Sequence, residues 1–347
     1  MSEYAASRRS VEEGQTIGVL LVNLGTPEAT DTRSVRRYLR EFLSDPRVIE
    51  TPRWLWWPIL NFVILAIRPA RSGKAYAAIW NKERNESPLK TITRAQADAL
   101  AALIVAGGLG AAGAKLRVEW AMRYGKPAIG AALADLERQG CTRLLVVPLY
   151  PQYAAATTAT VGDAVFAVLA RQRVQPALRI AAPYFGEPAY IKALAQSLRK
   201  CVDGLAFVPD AILVSFHGMP QSYADKGDPY PLHCEATFRL LREALGEWRA
   251  KLHLSYQSRF GRSQWLEPYT DATILRLARE KVENLLVMMP GFSADCIETL
   301  EENGIENRRL FLDNGGENFA VVPCLNDSPE GMQVIGDIVT RELAGWL

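Results

Sequence analysis

Three glutamates spaced four apart, Glu298, Glu302 and Glu306, follow an apolar run and its turn. In a helix that spacing stacks the carboxylates in one file. Such a file is ordinarily a solvated surface, and its like charges repel. In a cleft, oxygen ligands in a row can pass a hard or borderline cation inward. The same half of the chain holds His217, one of only three histidines, which ends another apolar run. Gly218 follows it and lets the chain turn, leaving the imidazole at the strand's carboxyl end. A lone histidine is commonly structural, but in open α/β sheets ligands bind just beyond the carboxyl ends of the strands. A histidine and a glutamate meeting there could bind a metal, move a proton, or both.

Eight short apolar runs rich in β-branched residues predict the strands that would position these groups: 17–24, 116–121, 143–149, 178–182, 211–216, 251–256, 284–289 and 319–323. Most are separated by stretches long enough for a helix, which implies α/β layering with parallel sheets. The two sets of four resemble each other in order and punctuation. Gly18-Val-Leu-Leu-Val-Asn-Leu-Gly-Thr-Pro27 parallels Ala211-Ile-Leu-Val-Ser-Phe-His-Gly-Met-Pro220, and Leu144-Leu-Val-Val-Pro148 parallels Leu285-Leu-Val-Met-Met-Pro290. The repeat predicts two similar lobes, 16–188 plus 328–347 and 189–327, after a loose tail at 1–15. Only the first lobe carries an extra stretch between its first and second strands, roughly residues 43–87.

With 40 basic and 38 acidic residues the net charge is +2, so no overall field draws the 347-residue chain to nucleic acid. The five cysteines lie far apart without a C-x-x-C pair, which points to a reducing, cytoplasmic compartment. Within the extra stretch, residues 54–67 form a 14-residue apolar segment with three tryptophans at one end and Arg53 and Arg68 at its flanks. Spanning a bilayer takes roughly 20 residues. The segment therefore reads either as a buried core helix or as an interfacial patch or pocket wall, the latter allowing peripheral contact with the inner face of a membrane.

The chain resembles the bacterial ferrochelatase family over nearly its whole length after the tail. The resemblance is carried by Leu21-Val-Asn-Leu-Gly-Thr-Pro27, Glu119-Trp-Ala-Met-Arg-Tyr124, Tyr150-Pro-Gln-Tyr153, Phe216-His-Gly-Met-Pro220, Tyr256-Gln-Ser-Arg-Phe-Gly261 with Trp265-Leu-Glu-Pro-Tyr-Thr270, and Pro290-Gly-Phe-Ser-Ala-Asp-Cys-Ile-Glu-Thr-Leu300. It implies two Rossmann-like, chelatase-like lobes, each a four-stranded parallel sheet flanked by helices. It also implies the insertion of ferrous iron into protoporphyrin IX, with coproporphyrin as an alternative substrate and a non-catalytic porphyrin or haem carrier as an alternative of another class. His217 and Glu298 match the family's active-site pair, both as catalytic groups and as metal ligands. Glu302 and Glu306 continue a metal path, and the extra stretch matches a lip over the pocket. Tyr76 and Ser87 match positions at the porphyrin edge, Arg123 and Tyr124 residues near the pocket, and Trp265 and Phe292 aromatic wall positions.

Two departures alter what the resemblance implies. Cys296 stands where some members have histidine, and Leu24 where others place tyrosine or methionine facing the metal; leucine cannot ligate iron, which favours entry along the glutamate file. Some members hold a [2Fe–2S] cluster through clustered cysteines in a C-terminal extension. That extension is missing here and four thiolates are the usual requirement, so no cluster and no tightly bound cofactor are expected, with Fe2+ serving as substrate.

Overall fold

The computed structural model describes residues 16–107, 115–261 and 263–347; the predicted tail at 1–15 lies outside them. All eight predicted strands are present: β1 (Thr16–Thr26), β2 (Lys115–Gly125), β3 (Cys141–Pro148), β4 (Ala177–Ile180), β5 (Ala211–His217), β6 (Leu252–Gln257), β7 (Asn284–Met288) and β8 (Asn318–Val321). They form two four-stranded sheets in the orders β2-β1-β3-β4 and β6-β5-β7-β8, parallel throughout. The near-continuous apolar runs explain this arrangement, because strands buried on both faces by helices carry no polar alternation. Val19 to Val22, Leu145 to Val147, Ile212 to Val214 and Leu285 to Val287 are all fully buried or nearly so.

The described residues divide into two compact units, one within 16–149, 155–182 and 332–347, the other within 150–154 and 183–331. Each sheet centres on the first strand of its set, and the repeat in sequence is matched by a repeat in burial. Leu24 is the only residue of β1, and His217 the only residue of β5, that is not buried. The glycine after each serves a close approach. A Cβ on Gly25, at φ +121°, would meet the Tyr124 carbonyl oxygen at 1.8 Å, and one on Gly218 would meet that of Gln257 at 2.6 Å. For Gly218 the sequence reading of a turn gains a second reason: crowding by the neighbouring strand demands glycine there.

The extra stretch of the first unit is helical: Arg53–Pro58, a π-helical turn Ile59–Ile64, and Leu65–Ile79. Its buried positions, Trp56, Leu60, Leu65, Pro69, Gly73 and Tyr76, recur at intervals of three to five residues. The interval of five, between Leu60 and Leu65, falls in the wide turn, which keeps both on one face. Trp56 Nε1 donates to the Leu43 carbonyl at 2.7 Å, fastening the segment to the helix Thr32–Leu43. The opposite face is also apolar but open, with Trp54 79%, Phe62 71% and Ile67 71% exposed. A simple core helix is thereby ruled out. Among the described residues no helix is long and apolar enough to cross a membrane.

Candidate active site

In the second unit the β5 strand delivers His217 to its carboxyl end, partly exposed. Its Nδ1 lies 2.7 Å from the Gly218 carbonyl oxygen. A carbonyl only accepts, so Nδ1 carries the hydrogen, and of the two neutral tautomers this contact selects the one with its lone pair on Nε2. The Tyr230 hydroxyl donates to the His217 carbonyl at 3.0 Å, and the Phe292 ring centroid stands 6.4 Å from the imidazole at a tilt of 55°. Trp265, half-buried, bridges Pro220 and packs against Gly218, its indole donating to the Phe260 carbonyl at 2.8 Å. Phe292 and Trp265 thus flank the strand end that bears the histidine.

The glutamate file is helical, as its spacing predicts. Residues Glu298–Asn307 form a π-helix, a winding that the spacing of four does not distinguish from an α-helix. With i to i+5 bonding a turn holds more than four residues, so Glu298, Glu302 and Glu306 still succeed one another along one side. Glu298 and Glu302 are half-buried and Glu306 is exposed, so the file runs inward from solvent. Burial, above all, pushes the Glu302 carboxyl above the usual range, with the Glu298 charge adding to this; hydrogen bonds from Ser258 and the nearby His217 act in the opposite sense. Ser258 sits at φ +66°, and from there both its N–H, at 2.8 Å, and its hydroxyl donate to the Glu302 carboxylate.

Asp295 closes the helix entrance as a structural carboxylate. It accepts from the Thr299 hydroxyl at 2.9 Å, the Asn326 side chain at 2.7 Å and the Cys324 N–H at 3.4 Å. Burial first, and then the neighbouring Glu298, push the Cys296 thiol well above its ordinary pKa, which disfavours a thiolate ligand there. Among the described residues no three His, Cys, Asp or Glu side chains gather as a metal-holding group.

The remaining predicted residues lie in the first unit, where several have visible structural work. Ser87 is buried and caps the helix Pro88–Val105, accepting from the Lys90 N–H. Tyr76 is buried with its ring edge-on to Trp80. Arg123 stacks over the Tyr124 ring at 4.3 Å, donates to the Thr160 carbonyl at 2.7 Å and pairs with Asp45. The Tyr124 hydroxyl donates to the same Asp45 oxygen at 3.0 Å. Sequence reasoning missed Asp45; a single acidic residue in a short turn carries no periodic signal. It also missed Ser258, Gln257 and Asn303, although the first two stand inside a quoted motif.

Two four-stranded parallel sheets, one with a histidine at its central strand end and a carboxylate file beside it, make up a chelatase-like fold. The fold is similar to that of SirB from Bacillus subtilis solved with Fe3+, with a TM-score of 0.56 and 12% identity over 96% of this chain and 97% of that one. It is also similar to the sirohydrochlorin chelatase SirB from Bacillus subtilis subspecies spizizenii in complex with cobalt, with a TM-score of 0.51 and 11% identity over 95% and 96%. Within that class the sequence is more specific. Residues 16–343 match the family model described as Ferrochelatase. A ferrochelatase from Methylocella silvestris is 55% identical over 99% of this chain and 98% of its own, and one from Rhodopseudomonas palustris 58% identical over 96% and 95%. The chain belongs to the ferrochelatase family.

Proposed function

We propose that this protein inserts Fe2+ into protoporphyrin IX, forming protohaem and releasing two protons. The observation that carries the reading is the His217 imidazole, whose Nδ1 is committed to the Gly218 carbonyl and whose Nε2 keeps a lone pair, in the same unit as the inward glutamate file. Two pyrrole N–H protons must leave as the metal enters, and Nε2 is a suitable acceptor. Glu298, at the inner end of the file, is the metal ligand; Glu306 collects iron from solvent and Glu302, fixed by Ser258, is the station between them. Trp265 and Phe292, both partly exposed in the second unit, supply apolar contacts to the macrocycle, and the family resemblance assigns Leu24 of the first unit to porphyrin binding as well. The same resemblance assigns Tyr76, Ser87, Arg123 and Tyr124 of the first unit to porphyrin binding. Iron is a substrate in this scheme, and five scattered cysteines support a protein without a [2Fe–2S] cluster.

Anaerobic steady-state turnover with Fe2+ and each porphyrin tests this reading. Protoporphyrin IX is expected to be metallated in preference to coproporphyrin, because four carboxylates would favour a wetter, more basic surface than the apolar lip offers. The same preparation is expected to contain no acid-labile sulfide. Binding without turnover would identify a carrier, and a preference for coproporphyrin would overturn the substrate assignment.

The open face of the lip has a second use. An exposed apolar strip ending in Trp54 and Trp57 matches the amphipathic anchors of peripheral membrane proteins. The protein is expected to sediment in part with liposomes and to be released by mild detergent, and Phe62→Ser with Ile67→Ser is expected to reduce sedimentation. Full solubility whatever the lipid would remove the membrane from this reading.

A further inference from the structure

The π-helix that aligns the glutamates is held by two amides to which the reaction scheme gives no part, Gln257 on the neighbouring strand and Asn303 within the helix itself. We propose that Gln257 and Asn303 are positioning residues, which fix the Glu298 backbone and so set its carboxylate relative to the His217 imidazole; this rests on His217 and Glu298 as the acting pair. Asn303 Nδ2 donates to the Glu298 carbonyl at 2.8 Å and to Gln257 Oε1 at 2.9 Å, and Gln257 Nε2 donates to the same Glu298 carbonyl at 3.1 Å. Two side chains therefore converge on one backbone oxygen of the residue that bears the carboxylate.

The orientation of the Gln257 amide is forced. Its Oε1 accepts from both Asn303 and the Ser215 hydroxyl, the latter at 2.7 Å, which turns Nε2 toward Glu298 and, at 3.5 Å, toward Glu302. Ser215 and Ser255 meet the Thr270 hydroxyl at 2.8 Å each, and Asn307 donates to Asn303 Oδ1 at 3.0 Å. All six of these residues are buried. Buried amides are costly unless fully satisfied, and a satisfied network rigidifies what it touches.

The backbone completes the link. In the β5–β6 ladder His217 pairs with Gln257, so the strand position opposite the imidazole sends its side chain to the Glu298 carbonyl. One residue thereby ties the two acting groups together. The π-helix sets Asn303 five residues after Glu298, and from there its side chain reaches the Glu298 carbonyl.

The test uses the full-length protein with Gln257→Met and Asn303→Ala, measuring anaerobic kcat, KM for Fe2+, porphyrin Kd by fluorescence quenching, and thermal unfolding. The expected result is a fall in kcat on the order of 10–100-fold, the effect of a slightly misplaced group, with porphyrin Kd unchanged. Gln257→Asn keeps a buried amide but is one methylene short, and is expected to show the same split should the methionine variant fail to fold. Folded variants with wild-type kcat, or a loss that only tracks the folded fraction, would overturn the proposal. His217→Ala is measured in parallel: if it too keeps turnover, the pair assignment has failed, whereas if it alone is inactive, only the positioning role has.

Discussion

Replacing His217 by alanine is expected to lower turnover by at least ~100-fold, the scale of general-base loss, while porphyrin still binds. The imidazole is the only one placed at this strand end, and its tautomer leaves Nε2 to accept the pyrrole proton. Its alanine replacement leaves neither proton acceptor nor nitrogen ligand. The flanking Phe292 and Trp265 rings remain, so the apolar surface for the macrocycle survives. Glu298→Gln keeps the shape and removes the charge, and is expected to depress kcat more than binding. Glu306→Gln, at the exposed end of the file, is expected to act mainly on the apparent affinity for iron. Near-normal turnover in His217→Ala with unchanged porphyrin affinity would refute the central assignment.

The largest effect on stability is expected from Asp45→Ala. Its carboxylate, 8% exposed, takes the Tyr124 hydroxyl and the Arg123 guanidinium, itself 16% exposed. Truncation leaves a largely buried cation without its paired carboxylate, held by the Thr160 carbonyl and the Tyr124 ring, and breaking one side of such a pair costs about 3 kcal/mol or more. Thermal unfolding is the measurement, with Arg123→Met added to Asp45→Ala as the control. The double variant removes the stranded charge and is expected to recover part of the loss. An Asp45→Ala melting curve that overlays the wild type would show that solvent already screens the pair.

Much of the fold is legible because parallel strands buried on both faces announce themselves as unbroken apolar runs. Their ends are less so. The run 251–256 is displaced by one residue from the observed Leu252–Gln257, because Gln257 pairs with His217, a contact far away in sequence. His217 is legible from its place after a strand. The helix type of the glutamate file is not, since a spacing of four fits an α-helix and a π-helix about equally. The signal available was Asn303 and Asn307, two poor helix formers whose amides turn out to be buried. For residues 54–67 composition could not choose between core and interface, because the segment does both: Trp56, Leu60 and Leu65 are its anchors, and Trp54, Phe62 and Ile67 its open face.

The wide helix also makes this stretch of chain more sensitive to length than to spelling. Each residue of an α-helix advances about 100° around its axis, so losing a single residue between Glu298 and Glu306 would let the segment relax to the commoner winding and swing everything downstream to another side. Conservative substitutions within it would leave the carboxylates in line, whereas a one-codon deletion would scatter them without removing any of the three. The tolerance of the gene to insertion and deletion is therefore expected to be lowest across these ten residues, and the constraint comes from geometry before it comes from chemistry.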